Sequence, residues 1–193
     1  YLYADNQMAK AVVIRFADWA DHITKELNDE QLQKMLACEF GGMNEALINV
    51  YAITGNKKYL EVADRFYHKA IMEPLANEKD QLSGKHSNTQ IPKIIGAARR
   101  FELTQNEKDK TIAEFFWNTI VNNHTYVMGG NSEYEYLTDA GKLNNHVSQN
   151  TAETCNTYNM LKLTRHLFSW QPKADLFNFY ERALYNNILS SQH

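Results

Sequence analysis

The same short phrase closes two helical stretches of this chain about fifty residues apart, and that recurrence limits the fold more than any other feature of the sequence. Tyr51-Ala52-Ile53-Thr54-Gly55-Asn56 leads into Lys57, and Phe101-Glu102-Leu103-Thr104-Gln105-Asn106 leads into Glu107. Each phrase lies between segments whose apolar residues recur at three-and-four spacing, so each marks a short link between two helices. A link of two or three residues makes the joined helices antiparallel. A looser third copy runs Leu163-Thr164-Arg165-His166-Leu167-Phe168, then Trp170-Gln171-Pro172, where Pro172 suits a helix start and a final helix follows over 173–189. Paired helices repeating at this length mean an α-solenoid or α-toroid.

The remaining periodicity fills in an all-α chain. Residues 4–27 place Met8, Ala11, Val12, Arg15, Phe16, Trp19 and Ile23 on one helical face, and a short helical piece follows over 29–36. Residues 43–54 repeat the pattern with Leu47, Ile48, Val50 and Tyr51, and Gly55 stops it in the left-handed region. Residues 57–72 follow at once, with Tyr59, Leu60, Ala63, Phe66 and Tyr67 on one face and Pro74 closing the segment. No boundary or low-complexity segment divides the chain, so 1–193 reads as one domain. Because the tight links all join one helix end to the next start, the longer connections at 38–44, 75–89 and 123–151 must gather at the opposite end of the stack. They carry most of the His, Asn, Ser and Thr clusters, and polar loops on one rim of a scaffold are the usual place for binding or catalysis.

Charge and length exclude several classes. The formal net charge of -3, from 20 basic and 23 acidic residues spread along the chain, leaves no basic stripe for phosphates, so nucleic acid is not an expected partner. No apolar run approaches the roughly 20 residues of a membrane span, and the first ten residues lack the pattern of a signal peptide. The chain reads as soluble and as excised from a longer polypeptide, with its compartment unwritten. Cys38 and Cys155 are too few and too distant for a disulfide framework.

Four segments carry chemistry. Glu39-Phe40-Gly41-Gly42-Met43-Asn44-Glu45 opens a repeat helix with two glycines that admit close backbone approach, placing Asn44 and Glu45 toward the rim. Gly84-Lys85-His86-Ser87-Asn88-Thr89-Gln90-Ile91-Pro92 packs directional donors and acceptors into one loop before a helix, a composition suited to vicinal sugar hydroxyls. Gly129-Gly130-Asn131-Ser132-Glu133-Tyr134-Glu135-Tyr136 sets two carboxylates among aromatics, the surroundings of a general acid. Thr151-Ala152-Glu153-Thr154-Cys155 begins the last inner helix, with Thr151 as its cap. It offers a carboxylate and a thiol two apart, a pair that suits zinc if other ligands come from elsewhere; a small buried hydrophobe is the plain alternative for Cys155.

These phrases, with Ala152-Glu153-Thr154-Cys155-Asn156-Thr157-Tyr158-Asn159-Met160-Leu161, occur in an order that resembles the β-L-arabinofuranosidase family, glycoside hydrolase family 127 and its close relatives, over nearly the whole chain. The resemblance implies an (α/α)6 barrel, zinc held by one Glu and three Cys, and retaining hydrolysis with a cysteine thiolate as nucleophile. It implies that Glu153 and Cys155 are zinc ligands, that Glu135 is the general acid/base, and that His86, with Asn88, Gln90 and Asn44 on the same rim, contacts a carbohydrate substrate. Glu133 competes for the acid role, and Glu135 is preferred for its offset from the Gly-Gly pair. The remaining two cysteine ligands of the family have no counterpart after Cys155, and Cys38 is a poor substitute. About seven long helices, where a closed barrel has twelve, agree with a partial barrel and an incomplete zinc site. The competing class is a helical-repeat module that binds sugar or protein without catalysis, which would need neither Glu153-Thr154-Cys155 nor the glycine-rich carboxylate loop.

Overall fold

In a computed structural model describing residues 1–192, the periodicity resolves into helices α1 (Gln7–Thr24), α2 (Asp29–Leu36), α3 (Met43–Thr54), α4 (Lys58–Asp64), α5 (Lys69–Ala76), α6 (Ser87–Thr104), α7 (Glu107–Asn123), α8 (Thr154–Trp170) and α9 (Ala174–Ala183). The last widens into a π-helical turn, Leu184–Leu189, and a 3-10 turn, Leu143–His146, interrupts the connection before α8. Among the described residues there is no strand, only isolated bridges within the long connections, and no helix is long and apolar enough to cross a membrane.

The repeated phrase is one structural solution used twice. Thr54 and Thr104 donate their hydroxyls to the carbonyls of Val50 and Arg100 (2.7 and 2.8 Å), Gly55 and Gln105 take left-handed conformations at φ 70° and 56°, and Asn56 and Asn106 accept from the amides of Lys58 and Lys108. The third link is built differently: Gln171 is extended, Lys173 is the cap residue, and Pro172 lies before the helix rather than at its first position.

Helices α3 with α4, α6 with α7, and α8 with α9 form the hairpins, and α6 packs against both α3 and α8. The result is an inner row α3–α6–α8 running in one direction, backed by α4, α5, α7 and α9, as in part of an (α/α) barrel. Helix α6 is buried almost all round. Ile91, Ile94, Ile95, Ile112, Phe116 and Ile120 are fully enclosed, each such side chain contributing about 1.5–3 kcal/mol of burial. A second cluster joins α1, α3 and α4 through Ala17, Ala20, Leu47, Ile48 and Val62.

Two sequence expectations change here. The segment 57–72 is not one helix: it breaks at 65–68, and Pro74 sits inside α5 instead of ending it. The break is held from a distance, because the Gln33 amide donates to Tyr67 O (3.0 Å) and accepts from Lys69 N (2.9 Å), while Arg65 reaches back to Asp21 (2.9 Å). The apolar stripe of α1 faces outward. Met8, Val12, Phe16, Trp19 and Ile23 are exposed, while α1 docks through Ala17, Ala20 and Thr24 and through Asp18 and Asp21 on Lys58. Phe168, Phe177 and Tyr185 are exposed on the opposite edge, as open edges of a partial barrel require.

Candidate active site

The long connections do meet at one end, and His86 stands where they meet. It caps α6, and its Nδ1 accepts from the backbone N–H of Thr89 at 3.3 Å. Because a backbone amide can only donate, this contact assigns the ring proton to Nε2. Nε2 lies 3.2 Å from Glu39 on one connection and 3.5 Å from Glu135 on another, with Tyr136 packed edge-on at 5.5 Å between ring centroids. Both carboxylates are open to solvent.

The loop that carries Glu135 is fixed from below. Gly129 (φ 102°) passes so close to the end of α9 that a Cβ would lie 2.5 Å from Ala183 Cα, and a Cβ on Gly130 would run into Asn187. Asn131 Oδ1 accepts from Ser87 (2.5 Å), and Ser132 Oγ accepts from Asn156 on α8 (2.6 Å), with all four side chains sealed from solvent. Ser87 N–H donates to Glu135 O at 2.8 Å. On this foundation Ser132, Tyr134 and Glu135 take positive φ of 75°, 46° and 72°, conformations costing about 1 kcal/mol or more each for non-glycine residues. The strain separates the two acids. Glu133 is turned inward, 3.0 Å from His146 Nδ1 and 19% exposed, whereas Glu135 is 56% exposed beside His86.

Glu153 is the cap residue of α8 but makes no side-chain capping bond, and Cys155 Sγ lies 3.8 Å from its Oε2. Desolvation, then the Glu153 charge, pushes the Cys155 thiol above its ordinary range. Thr151 is not the cap expected from the sequence: its hydroxyl accepts from Ser148 N (2.8 Å) and donates to His146 O (3.1 Å), closing the preceding loop.

The family model described as beta-L-arabinofuranosidase, GH127 catalytic domain, matches residues 1–193. The chain belongs to this family. Solved structures share the fold: a GH127 beta-arabinofuranosidase (22% identity, TM-score 0.63, 76% of this chain and 25% of that one), a glycoside hydrolase (17%, 0.68, 92% and 33%), and a GH127 beta-L-arabinofuranosidase from Geobacillus stearothermophilus T6 (18%, 0.58, 79% and 29%). This GH127 chain therefore spans a quarter to a third of the length of those structures. No curated protein matches it.

The other residues singled out in this GH127 chain divide between rim and interior. His86, Glu135 and Asn88 are at the rim, with Asn88 Oδ1 accepting from Asn159 on α8 (2.8 Å). Asn44 is 7% exposed and packs on Gly96, donating to Lys93 O (2.8 Å), so it sets the spacing of α3 and α6. Gln90, 6% exposed, accepts from Lys93 Nζ (2.8 Å). Lys93 itself is buried: its ammonium also lies 3.1 Å from His68 Nδ1 and 4.1 Å above the Phe40 ring, and desolvation brings its pKa down to about 8. It thereby ties the connection bearing Glu39 to α6. The sequence reading did not single out Glu39 or Lys93. The signal for Glu39 is its place at the head of the Gly41-Gly42 phrase, whereas a single lysine in a helical stretch carries no such mark.

Glu153 and Cys155 supply two donors of the kind zinc takes, a carboxylate and a sulfur, where a tetrahedral site takes four. Among the described residues no group of three or more His, Cys, Asp or Glu side chains comes together as a metal site. Cys38 is exposed on the Glu39 connection. The residues present fit half of a zinc site, open toward the rim.

Proposed function

We propose that the protein carrying this chain is a retaining glycoside hydrolase of the β-L-arabinofuranosidase type, acting on plant-type glycans, with Glu135 as general acid/base and a zinc-bound cysteine nucleophile located beyond this chain. One observation carries the reading: of two carboxylates two residues apart, Glu133 is committed to His146, and Glu135 is held out by left-handed backbone next to His86. Glu135 would protonate the departing oxygen and later take a proton from the incoming water. His86, with its proton on Nε2, donates toward Glu135 or a sugar hydroxyl, and Asn88 lines the same mouth. Glu153 and Cys155 would hold the zinc, which keeps a bound thiolate ionised at neutral pH.

The test is made in the full-length protein with an aryl and an unactivated β-L-arabinofuranoside. Glu135→Gln is expected to lower turnover of the unactivated substrate roughly 10²–10⁴-fold with the fold retained, and Glu133→Gln to leave most of it. The reverse pattern overturns the assignment. Elemental mass spectrometry on Cys155→Ser should show reduced zinc; undiminished zinc returns Cys155 to a packing role. A folded full-length protein with neither zinc nor turnover would leave the non-catalytic sugar-binding reading.

A further inference from the structure

Below the rim, the inner helices carry a second polar layer that the reading above does not use. On α8, Asn159 and Lys162 follow Cys155 by four and seven residues, so the three share one helix face. On α6, Asn88 and Pro92 share a face in the same way. Asn159 Nδ2 donates to Asn88 Oδ1 between these two faces, and one turn farther along α8 Lys162 Nζ lies 3.2 and 3.3 Å from the two carboxylate oxygens of Glu45 on α3.

Helix α6 stands between α3 and α8, so the Glu45–Lys162 pair crosses it at the level of Pro92. A Cβ on Gly42 would lie 3.5 Å from Glu45 Oε2 and 3.4 Å from Pro92 Cβ, which fixes the carboxylate against the start of α3. The side chains are 20% and 33% exposed. At such exposure an ion pair contributes little to stability, and α3 and α8 are already joined through α6. What the pair does offer is an acceptor and a donor side by side, the donor on the α8 face that carries Cys155 and Asn159, each with hydrogen-bonding capacity to spare. Adjacent hydroxyls on a small sugar ring ask for that combination, one donating to a carboxylate and the other accepting from an ammonium.

We propose that Glu45 and Lys162 form the sugar-reading pair of this site, engaging the vicinal hydroxyls of a pentofuranoside while its glycosidic oxygen faces Glu135. This inference rests on the glycosidase reading and adds the residues that choose the sugar.

The experiment compares wild-type full-length protein with Glu45→Gln, Lys162→Met and the exchange variant Glu45→Lys/Lys162→Glu. Turnover of an aryl β-L-arabinofuranoside, affinity for free L-arabinose by calorimetry, and thermal midpoint are read for each. The single variants should raise KM and weaken arabinose binding tenfold or more, with a smaller change in kcat. The exchange variant keeps an ion pair, so its thermal midpoint should stay near wild type while KM and arabinose affinity remain impaired, because donor and acceptor have traded places. Recovery of wild-type KM and affinity in the exchange variant would assign the pair a structural role and overturn the proposal alone. A wild-type protein that neither turns over the glycoside nor binds arabinose overturns both readings.

Discussion

The two ends of the helix layer solve the same problem in opposite ways. At the tight-link end the two repeated turns are short and self-sufficient: Thr54 and Thr104 return to their own helices, and Asn56 and Asn106 cap the next ones. At the rim, chain is spent freely, non-glycine residues sit in left-handed conformations at Ser132, Tyr134, Glu135 and Ala152, and carboxylates are left in the open at Glu39, Glu135 and Glu153. Turns that serve only the fold are made from their own neighbours. The strained rim is held by residues distant in sequence, and strain maintained against its cost marks the end where chemistry is done.

Substitutions can break this contrast. The largest effect is expected from Gly130→Ala, whose methyl would meet Asn187 and Ala152; it should lower stability by about 3 kcal/mol in urea denaturation and abolish turnover together with it. Acid should act next, through His68. Burial, then the Lys93 and Lys85 charges, brings its pKa down to about 4, so the folded protein binds the proton less readily than the unfolded chain. Stability is then full above the unfolded value near 6.5 and is lost as pH falls from there toward 4, by up to about 3 kcal/mol. Urea denaturation at pH 7 and pH 4.5 should show this decline, and His68→Gln should flatten it. Gly55→Ala at the tight-link end meets no neighbouring atom and occupies the slot where Gln105 already tolerates φ 56°, so it should cost only about 1 kcal/mol. Smallest is Lys142→Ala, which removes an exposed pair with Asp139 and should change stability by less than about 0.5 kcal/mol. A Gly55→Ala variant as damaged as Gly130→Ala would show that the two ends are not different in kind.

How much of this was legible in the sequence follows the same division. The tight links were readable because their determinants are adjacent residues, and the gathering of the long connections followed from parity alone. The phrase around His86 is legible, but the family resemblance implies Asn44 and Gln90 at the rim, whereas Gly96 and Lys93 draw them inside. The break at 65–68 was hidden because Gln33, more than thirty residues earlier, supplies the hydrogen bonds that an unbroken helix would have made for itself. The phrase through Pro92 reads as a loop before a helix, yet α6 begins at Ser87, where His86 caps it, and Pro92 lies inside its first turns. Pairwise geometry across helices, such as Glu39 with His86 or Glu45 with Lys162, leaves no periodic trace.

The shared direction of α3, α6 and α8 has an electrical consequence. All three helices begin at the rim, where backbone N–H groups lack helical partners, and each end behaves as roughly half a positive charge. Glu39, Glu45, Glu135, Glu153 and the Cys155 sulfur crowd this end, whereas Arg99 and Arg100 sit in the last two turns of α6 at the other. The layer is polarised from end to end by its own backbone. Negative charge that gathers at the mouth meets a standing field that no side-chain substitution removes.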